Sequence, residues 1–323
     1  MQAAIVTEQG VQLREIARPA PKPTEVLVRV RAAALNRADL TVAAGQRHGS
    51  VGGPGTIIGM EFAGEVEAVG SEVRGVKPGD RVMGSGGGAF AEYAVADWGR
   101  VSPLPTEAMG FEQAATLPVA LQTMHDAVVT NGRLAKGEAV LVQGASSGVG
   151  LMAMQIARAM GARLVIGASG NAGRRARLAE YGADLAIDAS EADWSRHVLA
   201  ATDGRGVELI VDQVSASVAN ENLRAAAVLG RIVNVGRLGG AKGEFDYDLH
   251  ALRRIAYIGV TFRTRSIEEV REINRRMRAD LWDAVAAGTL RLPIDRSFPL
   301  ARAAEALAHM QANRHFGKIV LTM

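Results

Sequence analysis

The residues whose types and spacing most clearly predict chemistry form a glycine-rich turn after the apolar run 140–142. This turn reads QGASSGVG over 143–150. Small residues stand at Ala145, Ser147 and Gly150, the three places where a strand-to-helix turn of the G-x-G-x-x-G type needs them. Such a turn brings backbone N–H groups and the positive end of a helix dipole close to phosphate. We therefore predict a cradle for the pyrophosphate of a dinucleotide. Its predicted contacts come from Ala145, Ser147, Gly148, Val149 and Gly150.

The end of the next apolar run indicates which dinucleotide fits. An NAD site usually has an acidic residue about 20 residues further on, which accepts a hydrogen bond from the ribose 2′-hydroxyl. Here the stretch 167–171 reads GASGN, and the first acid beyond it is Glu180. Ser169 and Arg174 suit a 2′-phosphate better, because guanidinium binds phosphate as a fork. We expect NADPH rather than NADH, although Arg174 also fits the solvated face of a helix.

The elements that must position this turn change character near residue 120. Before it, alternating stretches at 26–30 and 64–69 and the Pro-Gly turn within 76–82 predict a β-rich, barrel-like block. After it, apolar runs lie at 139–142, 164–166, 185–187, 207–211, 231–235 and 255–260. Helical stretches are predicted between them at 150–160, 174–181 and 216–229. Apolar strands separated by helices predict a doubly wound parallel sheet covered on both faces, the dinucleotide-binding fold.

Length, composition and charge limit the class of protein. A chain of 323 residues predicts two domains, and 48% hydrophobic residues are ordinary for a soluble globular protein. Lys plus Arg number 37 against 34 Asp plus Glu. The densest basic stretch, 271–278, is interleaved with Glu272 and apolar residues, so it predicts a solvated helix face. We expect no nucleic-acid partner.

The chain carries no signal for a membrane or for export. The stretch 139–157 has no charge, but its glutamines, serines and glycines favour a strand, a turn and a buried helix over a membrane span. The first ten residues lack the pattern of an export signal. The absence of cysteine suits a reducing compartment. We therefore expect a cytoplasmic protein.

With these residues in view, the chain resembles the medium-chain dehydrogenase/reductase superfamily, and within it the zinc-independent NADPH:quinone oxidoreductases of the zeta-crystallin-like branch. The resemblance rests on five motifs in order. They are ALNRAD at 34–39, GMEFAG at 59–64, VKPGDRV at 76–82, GASSGVG at 144–150 and NRHFGKIVL at 313–321.

The resemblance implies a fold and an assembly. It implies a GroES-like, β-rich substrate domain over 1–120, completed by 290–323, and a Rossmann NADP-binding domain over 121–289. It also implies a cleft between these domains and a homodimer formed by edge strands of the nucleotide domains. The run 255–260 is the candidate edge.

The resemblance also identifies the positions at which zinc-dependent relatives hold their metal. Zinc-dependent relatives take the catalytic metal from a cysteine, a histidine and a further cysteine or acid. The matching positions here hold Asn36, Met60 and Pro118 or its neighbours. An amide and a thioether cannot replace thiolate and imidazole in a tetrahedral zinc site. The stretch 84–90 passes the place of the cysteine-rich structural zinc lobe in a short turn. We therefore expect no metal site.

Further cofactor contacts are implied by the resemblance alone. Thr123 matches a threonine near the phosphate or nicotinamide, Gln213 a position near the adenosine, and Lys318 a lysine that reaches the cofactor. The other implied contacts are Val235, Gly236, Arg237, Phe262, Arg263, Thr264 and Asn313. Each of them also fits ordinary loop chemistry or a solvated charge.

Without zinc, the implied reaction is hydride transfer from NADPH to an acceptor that is already electrophilic, a quinone or an activated enone. Asn36 and Asp39 are the candidates to orient it, although Asn36 also fits a helix cap and Asp39 a tie to the backbone. Thr41 and Arg47 stand where bacterial quinone reductases place tyrosines, which leaves a polar or anionic acceptor open. The alternatives are a zinc-free alcohol, aldehyde or enoyl reductase, or a non-catalytic NADPH-binding relative.

Overall fold

The computed structural model describes all residues from Met1 to Met323, and the chain forms two compact units. The first contains Met1–Val119 and Phe262–Met323, and the second contains Ala120–Thr261. The chain therefore returns to its first unit at Phe262, one long helix earlier than the 290 expected from the sequence.

Polar contacts explain why the helix Ile267–Ala286 belongs to the first unit. Arg271 forms an ion pair of 2.7 Å with Asp97, and its guanidinium lies over the ring of Trp98. One turn further, the side-chain amide of Asn274 donates to the carbonyl oxygen of Gly99 at 2.9 Å. On the same helix, Arg275 and Arg276 are exposed and both pair with Glu272, as expected of a solvated face.

Fifteen strands and ten α-helices make up the two units. The strands are β1 (Gln2–Thr7), β2 (Gly10–Glu15), β3 (Glu25–Ala34), β4 (Glu61–Val69), β5 (Arg81–Ser85), β6 (Tyr93–Asp97), β7 (Val101–Pro103), β8 (Ala139–Gln143), β9 (Leu164–Ala168), β10 (Leu185–Ile187), β11 (Val207–Asp212), β12 (Ala226–Asn234), β13 (Ala256–Gly259), β14 (Ile294–Pro299) and β15 (Lys318–Thr322). The helices are α1 (Arg37–Ala43), α2 (Phe111–Ala115), α3 (Pro118–His125), α4 (Gly148–Ala159), α5 (Ala172–Arg175), α6 (Ser195–Ala201), α7 (Ala219–Ala225), α8 (Tyr247–Arg253), α9 (Ile267–Ala286) and α10 (Ala303–Gln311). A π-helix spans Asp126–Asn131, and 3₁₀ turns span Trp98–Arg100, Leu178–Tyr181, Ala216–Val218 and Leu300–Arg302.

The first unit is built around the long strand β3. The sheet order is β14-β15-β3-β4-β5-β7, and β6 also pairs with β3. One edge of β3 pairs with β4, whereas the other pairs first with β6 and then, from Ala32 to Ala34, with β15. Irregularities in the β3–β4 register bend the strand, which lets the sheet curve into a barrel. The inward side chains of β3 pack with Phe62 and Phe90 in one buried core.

The second unit is a parallel sheet of six strands in the order β10-β9-β8-β11-β12-β13. All six predicted apolar runs are strands, so the expected doubly wound sheet is confirmed. The strand order reverses between β8 and β11, which both bury their central residues completely. In such sheets, ligands bind beyond the carboxyl ends of the strands at the reversal.

Two predicted helices differ from the structure. The stretch predicted as helical over 216–229 ends as α7 at Ala225, and β12 starts at the next residue. The pairing of β12 with β11 jumps from Ala226 to Arg231, and Leu229 has a φ of 64° within the irregular part. The stretch predicted over 174–181 is divided into α5 and a 3₁₀ turn. None of the helices combines the length and the apolar composition that crossing a bilayer requires.

Candidate cofactor and substrate site

The glycine-rich turn connects β8 to α4 in the second unit. Ser147 is the N-cap of α4, and its hydroxyl accepts a hydrogen bond of 3.1 Å from the Gly150 N–H. Gly144 has a φ of 66°, and a Cβ on Gly150 would lie 2.5 Å from the carbonyl oxygen of Gly144. Only glycine fits at Gly150 without moving the turn. The remaining N–H groups of the first helical turn are those that a phosphate can accept from.

The side chain of Gln213 braces this turn. Its Oε1 lies 2.9 Å from the hydroxyl of Ser147, and its Nε2 donates to the carbonyl oxygen of Gln143 at 3.2 Å. The amide of Gln143 donates to Asn222, and the amide of Asn222 donates to the carboxylate of Asp212. The side chains of Gln213, Gln143, Asn222 and Asp212 are all buried. Gln213 therefore uses both ends of its amide to hold the turn.

The loops after β11 and β12 are joined by hydrogen bonds. The Asp212 carboxylate accepts from the N–H groups of Val214 and Ser215 at 2.8 and 2.9 Å. The backbone N–H of Val235 donates to the carbonyl oxygen of Asp212, and the hydroxyl of Ser215 donates to that of Gly236 at 2.5 Å. Burial raises the pKa of Asp212, although these N–H groups oppose the shift. We call 213–215 and 235–237 the joined loops.

Ser169, expected near the 2′-phosphate, lies beside the glycine-rich turn. Its hydroxyl is 3.1 Å from that of Ser146. Arg175 donates to the carbonyl oxygen of Ser169 and forms an ion pair of 2.9 Å with Asp188. Arg174 precedes it in α5 and is half-buried. The contact of Arg174 with a 2′-phosphate stays a prediction.

A buried ion pair lies in the first unit. The Lys318 ammonium donates to Oε1 of Glu61 at 2.5 Å and to Oδ1 of Asn36 at 3.0 Å. The Asn36 amide donates to the same Glu61 oxygen at 2.9 Å, and the Val119 N–H donates to the other at 2.8 Å. Both charged side chains are buried. The lysine predicted to reach the cofactor is thus bonded to Glu61 and Asn36, and its cofactor contact stays a prediction.

Asn36 and Asp39 have the positions that a helix cap requires. Asn36 is the N-cap of α1, and the Asp39 carboxylate accepts from its backbone N–H at 2.7 Å. Burial raises the pKa of Asp39 to about 7, with nearby Lys318 opposing the shift and Glu61 adding to it. The cap and the backbone tie that the sequence left open for these two residues are therefore present. Their contact with a substrate stays a prediction.

Arg263 follows β13 at the start of the chain's return to the first unit, between Phe262 and Thr264. It packs against the loop at Gly49, where an added Cβ would lie 3.4 Å from the Cβ of Arg263. Burial and the Arg263 guanidinium lower the pKa of His48 in the same loop. The structure thus brings Arg263 to the segment that follows the Asn36–Asp39 pair, within the first unit.

Asn313, Arg237 and Thr123 are the remaining predicted contacts. Asn313 accepts a hydrogen bond of 2.9 Å from the guanidinium of Arg37. Arg237, at the end of the joined loops, donates to the carbonyl oxygen of Val235. Thr123 is half-buried on α3. Their contacts with a cofactor stay predictions.

Glu61, Asp212 and Asn222 are among the polar residues of these clusters that sequence reasoning missed. Glu61 stands between Met60 and Phe62 in an apolar motif, and Asp212 ends the apolar strand β11. A charged residue within a buried strand is uncommon unless it is paired. That signal was available in the sequence, although it does not name the partners.

Two family models match successive parts of the chain. The Alcohol dehydrogenase GroES-like domain matches residues 22–106, and the Zinc-binding dehydrogenase model matches residues 148–279. The chain belongs to the medium-chain dehydrogenase/reductase superfamily. The expected GroES-like first domain and Rossmann-like parallel sheet are thereby confirmed, and the protein is an oxidoreductase of this superfamily.

This oxidoreductase resembles proteins of several kinds. It is 31% identical over 325 residues to a mycocerosic acid synthase-like polyketide synthase of Mycobacterium tuberculosis (strain ATCC 25618 / H37Rv), covering 99% of this chain and 15% of that protein. The chain spans only 14–15% of the length of such curated relatives. A quinone oxidoreductase from Pseudomonas syringae pv. Tomato DC3000 is 28% identical, with both chains covered completely and a TM-score of 0.87. A mycobacterial protein complexed with NADPH is 26% identical, again over both complete chains, with a TM-score of 0.88.

One of the two family models is named for zinc binding, but the side chains of this chain do not suit a zinc ion. No three His, Cys, Asp or Glu side chains form a group that could hold a metal ion, and the chain has no cysteine. At the matching positions, Met60 offers a thioether, and the Asn36 oxygen accepts from the Lys318 ammonium. A fixed ammonium repels a dication, and zinc prefers thiolate, imidazole and carboxylate. The residues present do not provide the catalytic zinc site of the superfamily.

Proposed function

We propose that this oxidoreductase reduces quinones or activated enones by hydride transfer from NADPH without a metal ion. The observation that carries the proposal is the braced glycine-rich turn, in which Gln213 and Ser147 fix the start of α4. The related quinone oxidoreductase and the relative complexed with NADPH support this choice of substrate class and cofactor.

The residues of the second unit fit the parts of NADPH. The first turn of α4 would hold the pyrophosphate, because its N–H groups and helix dipole favour anions. Ser169 and Arg174 would hold the 2′-phosphate, and the joined loops would line the remainder of the dinucleotide. When bound, the reduced nicotinamide supplies the hydride. The turn itself needs little rearrangement on binding, since its side chains are already fixed by hydrogen bonds.

The class of acceptor that we propose follows from the missing zinc ligands and from the fixed position of the Asn36 side chain. Hydride addition to a carbon–carbon double bond conjugated to a carbonyl produces an enolate, whose charge is delocalised, and a proton from water completes the saturated ketone. A quinone likewise becomes a hydroquinone. Neither reaction needs a Lewis acid, which suits a donor set without zinc ligands. Asn36, fixed by Lys318 and Glu61, is the proposed orienting group, with Asp39 holding its backbone.

We also propose a homodimer paired through β13. The outer edge of β13 has no neighbouring strand in the sheet. Six of the ten exposed large hydrophobic side chains lie between 228 and 257. They are Val228, Leu229, Leu238, Tyr247, Leu252 and Tyr257. An unpaired edge strand, in a stretch of sequence that holds most of the exposed apolar side chains, favours association with a second copy.

Steady-state oxidation of NADPH tests the proposal. The purified protein is mixed with NADPH or NADH and with benzoquinones, naphthoquinones, cyclic enones or simple aldehydes, and the absorbance of the reduced nicotinamide is followed. We expect turnover with quinones or enones, faster with NADPH, and none with aldehydes. Binding of NADPH without turnover on any acceptor would instead support a non-catalytic NADPH-binding protein.

A further inference from the structure

A chain of hydrogen bonds connects the outer edge of the parallel sheet to the joined loops. Tyr257 lies on the edge strand β13, and its hydroxyl oxygen accepts from the side-chain amide of Asn234 at 3.2 Å. The same amide donates to the hydroxyl of Ser215 at 2.5 Å, and Ser215 donates to the carbonyl oxygen of Gly236. Asn234 thus directs one amide hydrogen to the edge and the other to the loops.

The inner end of this chain holds a strained residue. Ser215 has a φ of 68° and a ψ of −119°, a conformation that residues other than glycine rarely adopt. Such conformations persist only where the surrounding contacts hold them. Here the Asp212 carboxylate accepts from the Ser215 N–H, while Asn234 and Gly236 bond its hydroxyl. The shape of the joined loops therefore depends on these bonds.

The outer end of this hydrogen-bond chain, at Tyr257, is partly exposed to solvent. Tyr257 is 39% exposed, and its ring packs edge-to-face on Phe245 at 5.7 Å. Because its oxygen accepts from Asn234, its own hydrogen can go to an acceptor on another chain. A hydroxyl that donates becomes a stronger acceptor, and excluding water strengthens both bonds. Covering this edge would therefore tighten the bond between Tyr257 and Asn234.

A second copy of this chain is the occupant that fits the edge. The sequence of β13 is AYIG, with none of the charges that protect natural edge strands from pairing. Tyr247 and Leu252 on the neighbouring α8 are 77% and 74% exposed. Two identical edges pair around a two-fold axis, which closes the assembly at a dimer and buries these side chains.

We propose that Tyr257 is a positioning residue for the cofactor, and that pairing of the β13 edge with a second copy tightens cofactor binding through Asn234 and Ser215. The inference rests on the proposed function, because it takes the joined loops as part of the NADPH site. Linkage makes the effect reciprocal, so NADPH tightens the dimer by the same factor. We expect about a fivefold effect, the value of one neutral hydrogen bond.

Substitution of one hydroxyl tests this coupling. Tyr257→Phe removes the link and keeps the ring, and Tyr247→Phe is the matched control, because its ring contacts the same Phe245 at 5.1 Å. The dissociation constant for NADPH is measured at protein concentrations where the chain is monomeric and where it is dimeric. The dimer dissociation constant is measured by sedimentation with and without NADPH. We expect coupling in the wild type and in Tyr247→Phe, and none in Tyr257→Phe.

A second variant separates the link from the interface. Ser215→Ala removes the inner bond and leaves β13 untouched, so we expect an unchanged dimer constant without NADPH and loss of the coupling. The proposal is overturned if the chain stays monomeric, if wild-type NADPH affinity is the same in monomer and dimer, or if Tyr257→Phe retains the coupling. Failure to bind NADPH at all would contradict the proposed function instead.

Discussion

At the scale of single residues, the Lys318–Glu61 pair determines what Asn36 can do. The Asn36 amide has its oxygen bonded to Lys318 and its nitrogen to Glu61, so these two residues hold the side chain in one orientation. Two charges taken out of water are tolerated only when they are paired, and removing one partner is strongly destabilising. Glu61 is therefore the residue on which this cluster depends most.

We predict that Glu61→Gln lowers the free energy of unfolding by about 3 kcal/mol, because the Lys318 ammonium stays buried without its counter-charge. Urea denaturation measures the loss. The control is Glu305→Gln, which removes an exposed ion pair with Arg302 and should change stability little. Similar losses for the two variants would contradict the energetic role of burial in this pair.

We predict a pH dependence from Asp39, which keeps its proton in the folded protein up to about pH 7 but loses it near 3.8 when unfolded. Between these values the unfolded chain binds fewer protons, so stability falls as the pH rises from 4 to 7. The contribution reaches about 4 kcal/mol. In Asp39→Asn the free energy of unfolding, measured between pH 4 and 7, should not show this decrease. Parallel curves for the two proteins would show that Asp39 titrates normally.

We predict that Arg174→Ala weakens NADPH at least about tenfold, because a hydrogen bond to a charged group contributes about 1.5–3 kcal/mol. NADH, which lacks the 2′-phosphate, should bind almost unchanged. Arg177→Ala is the control in the same segment, where Arg177 pairs with Glu180 at 3.1 Å. Dissociation constants come from fluorescence titration. Equal losses for both dinucleotides would remove Arg174 from the 2′-phosphate site.

At the scale of elements, the sequence predicted the strands better than the contacts between them. The six runs that became β8 to β13 consist mainly of apolar residues, many of them β-branched, which favours strands. The start of β12 was missed because the apolar residues 226–229 suit a helix and a strand equally. The glycine-rich turn was predictable from local spacing. The Lys318–Glu61 contact was not, because it joins residues 257 positions apart.

Two serine caps allow a prediction about elements. Ser147 caps α4 at the glycine-rich turn, and Ser266 caps α9, where it accepts from the Glu269 N–H at 3.2 Å. Each serine-to-alanine change should lower the free energy of unfolding by about 1 kcal/mol. Only Ser147→Ala should also weaken NADPH binding, because it removes the hydrogen bond by which Gln213 holds the start of α4. If both variants bound NADPH like the wild type, the turn would not be the cofactor site.

At the scale of the whole molecule, the family and the donor set point to different chemistry. The superfamily includes members named for zinc, yet this chain places an amide, a thioether and a buried ammonium where zinc ligands are expected. The metal-free reduction that we propose therefore requires acceptors that are electrophilic without a Lewis acid. A simple aldehyde does not meet that condition, whereas a quinone or an activated enone does.

Deuterium transfer tests metal-free reduction of an activated acceptor most directly. The protein is treated with a strong chelator and mixed with NADPH deuterated at its transferable position, together with a cyclic enone and a simple aldehyde. Mass spectrometry then locates the label. We expect deuterium on the β-carbon of the enone, at the same rate with and without chelation, and no reduced aldehyde. Reduction of the aldehyde, or loss of enone reduction after chelation, would contradict metal-free hydride transfer.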